Sequence, residues 1–198
     1  MKIKIIFLSL LLSPVIASGA VTVTESTTGA LPVSSDVTIG QSFAVPSGTS
    51  YQNIRFSWIG TDGTSPLAFG NLFLMDQEYL GTPRDLSSST AGFVGQSSGI
   101  SAGEYLFTAS LTLNAGSSYW AYTAGTPSTA GIGASISNPY GDGVSYTAPI
   151  VSEGIYGDYA QNAPEILDVN FKVSSVPEPS SVVLLGLGGL ALMLYRRK

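Results

Sequence analysis

The sequence contains neither cysteine nor histidine among its 198 residues. The absence of cysteine excludes disulfide bonds and thiol nucleophiles, and the absence of histidine removes the commonest general base and zinc ligand. Charged residues make up only 11% of the chain, whereas glycine occurs 23 times. Disordered chains combine high charge with low hydrophobicity, so this profile differs from theirs. The composition indicates a β-rich exported protein with many turns.

Basic residues are also scarce, and two of the eight stand at the N-terminus. Lys2 and Lys4 precede an apolar segment at 5–12, and small residues follow up to Ala20. This order predicts a secretory signal peptide over residues 1–20, cut by signal peptidase after Ala20. Cleavage after Ala17 and an uncleaved membrane helix are the alternatives.

The C-terminal end carries a second apolar segment. Residues 182–195 form an uncharged run of 14 residues, followed by Arg196, Arg197 and Lys198. A helix of that length extends about 21 Å, against a hydrocarbon core of about 30 Å. A transmembrane helix over 180–195 is therefore short for a permanent anchor and better suited to transient insertion. Basic residues at both ends place both ends in the cytoplasm and the chain between them outside.

A proline-flanked glutamate precedes this helix, as Pro177, Glu178 and Pro179. The triplet, the apolar helix and the basic tail together resemble the PEP-CTERM sorting signal of Gram-negative bacteria, here over residues 176–198. The resemblance implies that an exosortase, a membrane-embedded cysteine peptidase, cleaves near the triplet after the inner membrane has held the chain transiently. It also implies delivery to the cell surface or to an exopolysaccharide-rich biofilm matrix. A single-span anchor after a proline-rich linker is the alternative.

The cargo between these signals, residues 21–175, is strongly acidic. It has three basic and twelve acidic residues, a net charge of −9. This charge disfavours binding to nucleic acids and to anionic lipid surfaces, which need lysine and arginine. No cofactor is expected, although calcium, which binds carboxylate and carbonyl oxygens, is the best candidate. Asp142, Asp158 and Asp168 are weak ligand candidates because no known calcium-loop spacing accompanies them.

Apolar residues in the cargo recur with a period of two. The pattern is clear in "NIRFSWI", in "YLFTASLTL" and in "ILDVNFKV", where Val169, Phe171 and Val173 alternate with Asp168, Asn170 and Lys172. Such alternation predicts half-buried strands, and turn residues separate several shorter candidates. The sequence predicts an all-β, antiparallel two-sheet sandwich with a jelly-roll-like topology.

Three segments of the cargo carry a further resemblance: "QSFAVPSGTSYQNIRFSWIG", "LAFGNLFLMD" and "LTLNAGSSYWAYT". They are similar to the exported bacterial domains called choice-of-anchor domains, which occur with varied anchoring signals. The resemblance implies a fold and no activity or catalytic residues.

Paired carboxylates are the only plausible catalytic groups. Asp76 and Glu78 stand two apart on a predicted strand, so both would face one side, as a glycosidase needs. Solvated surface carboxylates are the simpler interpretation. A serine hydrolase is disfavoured because the chain has neither histidine nor a Gly-x-Ser-x-Gly turn. We therefore predict that the protein is not an enzyme.

Aromatic side chains suggest sugar binding instead, because their flat faces stack on pyranose rings. Tyr140, Tyr146, Tyr156 and Tyr159 lie in glycine-rich segments and are the predicted exposed glycan contacts; core packing is the alternative. The sequence thus predicts an exported structural or exopolysaccharide-associated component without catalytic activity. The alternatives are a carbohydrate-binding module and, less favoured, a carboxylate glycosidase.

Overall fold

Strands form almost all regular structure in the computed structural model, which describes residues 19–124, 131–137, 139–152, 154–162 and 168–176. The strands are β1 (Val21–Ser26), β2 (Leu31–Pro32), β3 (Val37–Ala44), β4 (Ile54–Ile59), β5 (Pro66–Leu67), β6 (Asn71–Met75), β7 (Phe93–Gln96), β8 (Gly99–Ser101), β9 (Glu104–Leu106), β10 (Ser118–Ala124), β11 (Gly133–Ser135), β12 (Ser145–Ser152), β13 (Ile155–Tyr156), β14 (Ala160–Gln161), β15 (Asp168–Val169) and β16 (Phe171–Ser175). One 3-10 turn lies at Pro83–Asp85. The all-β prediction is confirmed.

The helices predicted at the two ends of the chain lie outside the residues that the structure describes. Residues 1–18 of the signal peptide and all of 180–195 are beyond the described ranges. Among the residues that are described, none belongs to a helix with the length and apolar character needed to span a bilayer.

The strands form three antiparallel sheets within one unit, Ala20–Glu178. The first main sheet has the order β1-β16-β4-β9-β8, with β5 beside β4. The second has the order β13-β12-β3-β10-β6-β7, with β14 beside β12. A small third sheet, β15-β11-β2, completes the fold.

The two main sheets pack face to face through aromatic side chains. Phe56 of β4 and Phe171 of β16 stack at 5.9 Å with an angle of 10° between their rings. Phe43 of β3, in the other sheet, lies 6.2 Å from Phe56 and 6.0 Å from Phe171. These contacts make the core of a β-sandwich, with little solvent access to any of the three rings. The jelly-roll topology stays a prediction.

The last strand shows how the small sheet alters the predicted pattern. Val169, Phe171 and Val173 lie in the core, as their alternation predicts. Asp168 and Asn170, on the opposite face, are also buried, with exposed fractions of 2% and 0%. β15 pairs with β11 of the small sheet, and chain segments next to that sheet cover the two side chains: the Tyr140 amide donates to Asp168, and the Asn170 side chain is bonded to Gly29.

Asn170 ties three chain segments together. Its Oδ1 accepts a hydrogen bond from the Gly29 amide at 2.8 Å, and its Nδ2 donates to the Gly29 carbonyl at 2.7 Å. The same Nδ2 donates a longer bond, 3.4 Å, to the Gly60 carbonyl. A Cβ at position 29 would lie 2.3 Å from the Ala134 carbonyl carbon, so this approach requires glycine. The loop after β1 is thereby fixed against β11.

One predicted strand is shorter than its pattern indicates. The alternation in "YLFTASLTL" predicts a continuous strand from Tyr105, but β9 ends at Leu106. The chain then turns, and the Leu111 amide donates to the Thr108 carbonyl at 3.0 Å. Tyr105 and Leu113 are nevertheless both fully buried, because the chain returns to the core through the Tyr51–Leu113 bridge.

The first and last strands of the sandwich are neighbours in one sheet. β1 pairs with β16, and Val21, the predicted first residue of the processed chain, is the register partner of Ser175. Ser175 is the last residue of β16 and stands two positions before the predicted sorting triplet. The cargo therefore begins and ends on neighbouring strands of one sheet.

Candidate ligand-binding cleft

The four tyrosines predicted as glycan contacts do not form one exposed surface. Tyr146 and Tyr159 are each only 2% exposed, so the expectation of exposure is wrong for both. They belong to a second apolar cluster, on the face of the second main sheet that points away from the main core. Its buried members are Phe73, Met75, Leu86, Tyr122, Tyr146, Ala148 and Tyr159. Sequence patterns cannot reveal this cluster, because its cover comes from the 3-10 turn region and from Tyr159, both distant along the chain.

Tyr140 and Tyr156 are half-buried, and their known contacts are internal. The Tyr140 hydroxyl accepts hydrogen bonds from the Ala44 amide at 3.0 Å and from the Thr24 hydroxyl at 3.1 Å. The Tyr156 ring lies 5.8 Å below the guanidinium carbon of Arg84. Both residues therefore contribute to packing, which limits the ring surface they offer to a ligand.

Tyr146 connects the second cluster to the surface. The indole Nε1 of Trp120 donates to the Tyr146 hydroxyl at 3.1 Å, and that hydroxyl donates to Oε1 of Glu78 at 2.9 Å. Burial, reinforced by the nearby Glu78 carboxylate, raises the pKa of Tyr146 to about 12. Trp120 is thus held in one orientation by a partner that stays protonated at neutral pH.

The tyrosine pKa values give a test of this packing. Burial also raises the pKa of Tyr105 to about 12, against an ordinary value near 10. A raised folded-state pKa contributes stability below about pH 10, and that stability is lost as the pH rises through about 12. We expect tyrosinate absorbance to appear in at least two steps in the native protein, and in one step near pH 10 in denaturant. Tyr146→Phe should reduce the later step; a single native step near pH 10 would contradict this packing.

A polar cleft of about 610 Å³ opens beside Trp120. It forms where β6 ends and β10 begins, since Trp120 of β10 is the register partner of Met75, the last residue of β6. Met75 is also paired with Phe93 of β7, which brings that strand to the same place. The lining residues are Asp76, Phe93, Val94, Thr112, Asn114, Ser117, Ser118, Tyr119 and Trp120.

The rim of the cleft is fixed by hydrogen bonds to its backbone. The Asp76 amide donates to the Gly92 carbonyl at 2.8 Å, which fixes the backbone of Asp76 just after β6. The turn before β10 is held by the Tyr119 hydroxyl, which accepts from the Asn114 amide at 2.9 Å. The Ser117 carbonyl accepts from the Val45 amide at 2.9 Å. The backbone segments that carry the polar groups of the cleft are therefore held in place by hydrogen bonds.

The structure separates the predicted carboxylate pair. The strand ends at Met75, so Asp76 and Glu78 do not share a strand face. Asp76 is exposed and lines the cleft, whereas Glu78 accepts the hydrogen bond from Tyr146 and is not a lining residue. Glu78 instead takes part in holding Trp120.

The predicted calcium ligands do not come together as a cluster. Asp142 and Asp158 are exposed, whereas Asp168 is buried and accepts a hydrogen bond from the Tyr140 amide at 2.8 Å. Burial raises the pKa of the Asp168 carboxyl. Across the described ranges, no three acidic side chains are grouped so as to hold a metal ion. That the protein has no cofactor, with calcium as the best candidate, stays a prediction.

Comparison with protein-family models concerns the C-terminal end of the chain. Residues 175–198 match the PEP-CTERM protein-sorting motif. The motif includes Pro177, Glu178 and Pro179, and it supports export with processing by an exosortase. From residue 177 onward it lies outside the described ranges. No curated protein and no solved structure is significantly similar to the chain, and the cargo's resemblance to choice-of-anchor domains stays a prediction.

Proposed function

We propose that this chain is a non-catalytic component of the cell surface or extracellular matrix of a Gram-negative bacterium. The observation that carries the proposal is the PEP-CTERM sorting motif at residues 175–198. The motif directly follows the last strand of the sandwich in the sequence. This order suits a protein whose folded domain is the exported cargo and whose C-terminal segment is the sorting signal. Exopolysaccharide of a biofilm-type matrix is the proposed partner at the destination.

The export route follows from the two apolar segments of the sequence. Lys2 and Lys4 at one end, and Arg197 with its basic neighbours at the other, keep both ends cytoplasmic while the cargo crosses. Signal peptidase then cuts after Ala20. The helix over 180–195 holds the chain in the inner membrane until exosortase cuts near Glu178.

The cargo itself suits an extracellular existence. Its aromatic core, built around Phe43, Phe56 and Phe171, provides a large buried apolar area without any disulfide bond. Its net charge of −9 favours solubility outside the cell. We propose a jelly-roll sandwich of the choice-of-anchor kind as its fold.

Intact mass of the protein from the native cell surface and medium tests the proposal. We expect a chain that begins at Val21 and ends within 177–179. Alanine at Pro177, Glu178 and Pro179 together should leave residues 182–198 attached and shift the protein to the inner-membrane fraction. A wild-type mass that retains 182–198 would make the segment a permanent anchor and overturn exosortase processing.

A carbohydrate-binding module is the second candidate, and the cleft beside Trp120 is the observation that favours it. A glycosidase is less favoured, because it needs two carboxyl groups about 5–9.5 Å apart across the sugar bond. Among the described residues that line the cleft, Asp76 is the one carboxylate, and Glu78 is bonded to Tyr146. We therefore propose binding without turnover.

A further inference from the structure

We propose that the cleft beside Trp120 binds an uncharged polysaccharide, with Trp120 as the stacking surface and Asp76 as the residue that sets specificity. The proposal rests on the proposed function, because it assumes that the cargo meets extracellular glycan.

Trp120 is positioned as a rigid stacking surface. It is half-buried, its nitrogen is engaged by Tyr146, and it packs with the second apolar cluster. Trp120 lines the cleft, and its hydrogen bond to Tyr146 takes up the one polar group of the indole. A flat, pre-oriented aromatic ring suits the apolar C–H face of a pyranose and loses little conformational entropy on binding.

Other lining residues supply hydrogen-bonding groups for sugar hydroxyls. Asp76, Asn114 and Ser118 are exposed and line the cleft. Among the residues that the structure describes, the Asp76 carboxylate has no hydrogen-bond or ion-pair partner, so its oxygens are available as acceptors. Sugar hydroxyls both donate and accept, and carboxylate and amide groups match both roles. The cleft volume falls within the range of small-ligand sites, about 300–1,000 Å³.

Charge selects the class of glycan. The three basic residues of the cargo are engaged elsewhere: Arg55 pairs with Glu104 at 2.8 Å, Lys172 pairs with Glu25 at 3.6 Å, and Arg84 lies over Tyr156. None of the three lines the cleft. A polyuronate would therefore place carboxylates beside Asp76 without a compensating cation, in a cargo of net charge −9. An uncharged polymer meets no such repulsion.

The two tryptophans of the chain provide a built-in assay. Trp58 is 0% exposed in the core, so a change in fluorescence on adding a polymer reports on Trp120. The probes are galactomannan and mixed-linkage β-glucan as uncharged polymers, and alginate as a polyuronate. We expect at least one uncharged polymer to shift the emission and to protect Trp120 from acrylamide quenching. Alginate should do neither.

Matched variants assign the residues. Asp76→Asn should weaken binding about tenfold, since a hydrogen bond to a charged group is stronger than one to a neutral group. Asp142→Asn makes the same charge change at an exposed position outside the cleft and should leave the affinity unchanged. In native gels that contain the polymer, binding slows the migration of the protein. Trp120→Phe should abolish both this retardation and the fluorescence response, whereas Trp58→Phe should keep both. Near-ultraviolet circular dichroism confirms that each variant is folded.

No response to either uncharged polymer, equal binding to alginate, or equal weakening by Asp76→Asn and Asp142→Asn would each reject the cleft as this site. Failure of the proposed function would appear elsewhere, as an intact mass that retains residues 182–198. A processed, released protein that ignores both uncharged polymers would therefore reject this inference alone.

Discussion

Phe171→Ala is expected to lower the free energy of unfolding by about 3–5 kcal/mol. Phe171 is fully buried, and its ring contacts aromatic rings from both main sheets. Phe56 stacks on it at 5.9 Å, Phe43 lies 6.0 Å away across the sandwich, and the Tyr140 ring lies perpendicular to it at 5.1 Å. Removing the ring loses apolar burial and leaves a cavity that these fixed neighbours cannot fill.

Such a loss is a large part of the stability of a typical domain, about 5–15 kcal/mol. Urea unfolding followed by circular dichroism measures it. Val151→Ala is the control, because Val151 is 68% exposed and its truncation should change stability by no more than about 0.5 kcal/mol. Equal effects of the two substitutions would show that the sheets do not pack through Phe171.

Asn170→Ala is expected to cost at least about 2 kcal/mol, through hydrogen bonding rather than apolar burial. The substitution leaves both the amide and the carbonyl of Gly29 without the partner that Asn170 provides. Gly29 is buried, so water cannot replace that partner without opening the loop. The loop after β1 should then exchange its amide hydrogens faster than the rest of the sheet.

A matched asparagine distinguishes this role from a general effect of asparagine loss. Asn71 is exposed at the start of β6, and Asn71→Ala should change stability by no more than about 0.5 kcal/mol. Hydrogen exchange and thermal unfolding of both variants give the comparison. If Asn170→Ala behaves like Asn71→Ala, the bonds to Gly29 contribute nothing to the fold.

Strand alternation identifies the core of this protein because each main sheet has one face in the sandwich interior. Phe56, Trp58 and Phe171 are all buried, as their period-two patterns predict. The patterns do not show what covers the other face. The alternation predicts that Asp168 and Asn170 face solvent, and only non-local contacts, with Tyr140 and Gly29, explain their burial.

The cleft depends on non-local pairing in the same way. In the sequence, Asp76 belongs to the predicted carboxylate pair, and it stands 44 positions before Trp120. They meet because β6 and β10 are antiparallel neighbours in a register that pairs Met75 with Trp120. Register across so long a connection is set by the whole sheet, so local patterns cannot predict the site. The tail is the opposite case, since its motif is read from consecutive residues.

The pairing of Val21 with Ser175 places the two ends of the sandwich next to each other. Because its entry and exit lie side by side on one sheet, either end can be joined to a new segment without stretching the fold. The domain should therefore accept a different address tag, a host-protein loop or a short linker that closes its own ends into a circle. Evolution can exchange the sorting signal of such a domain without changing its hydrophobic core.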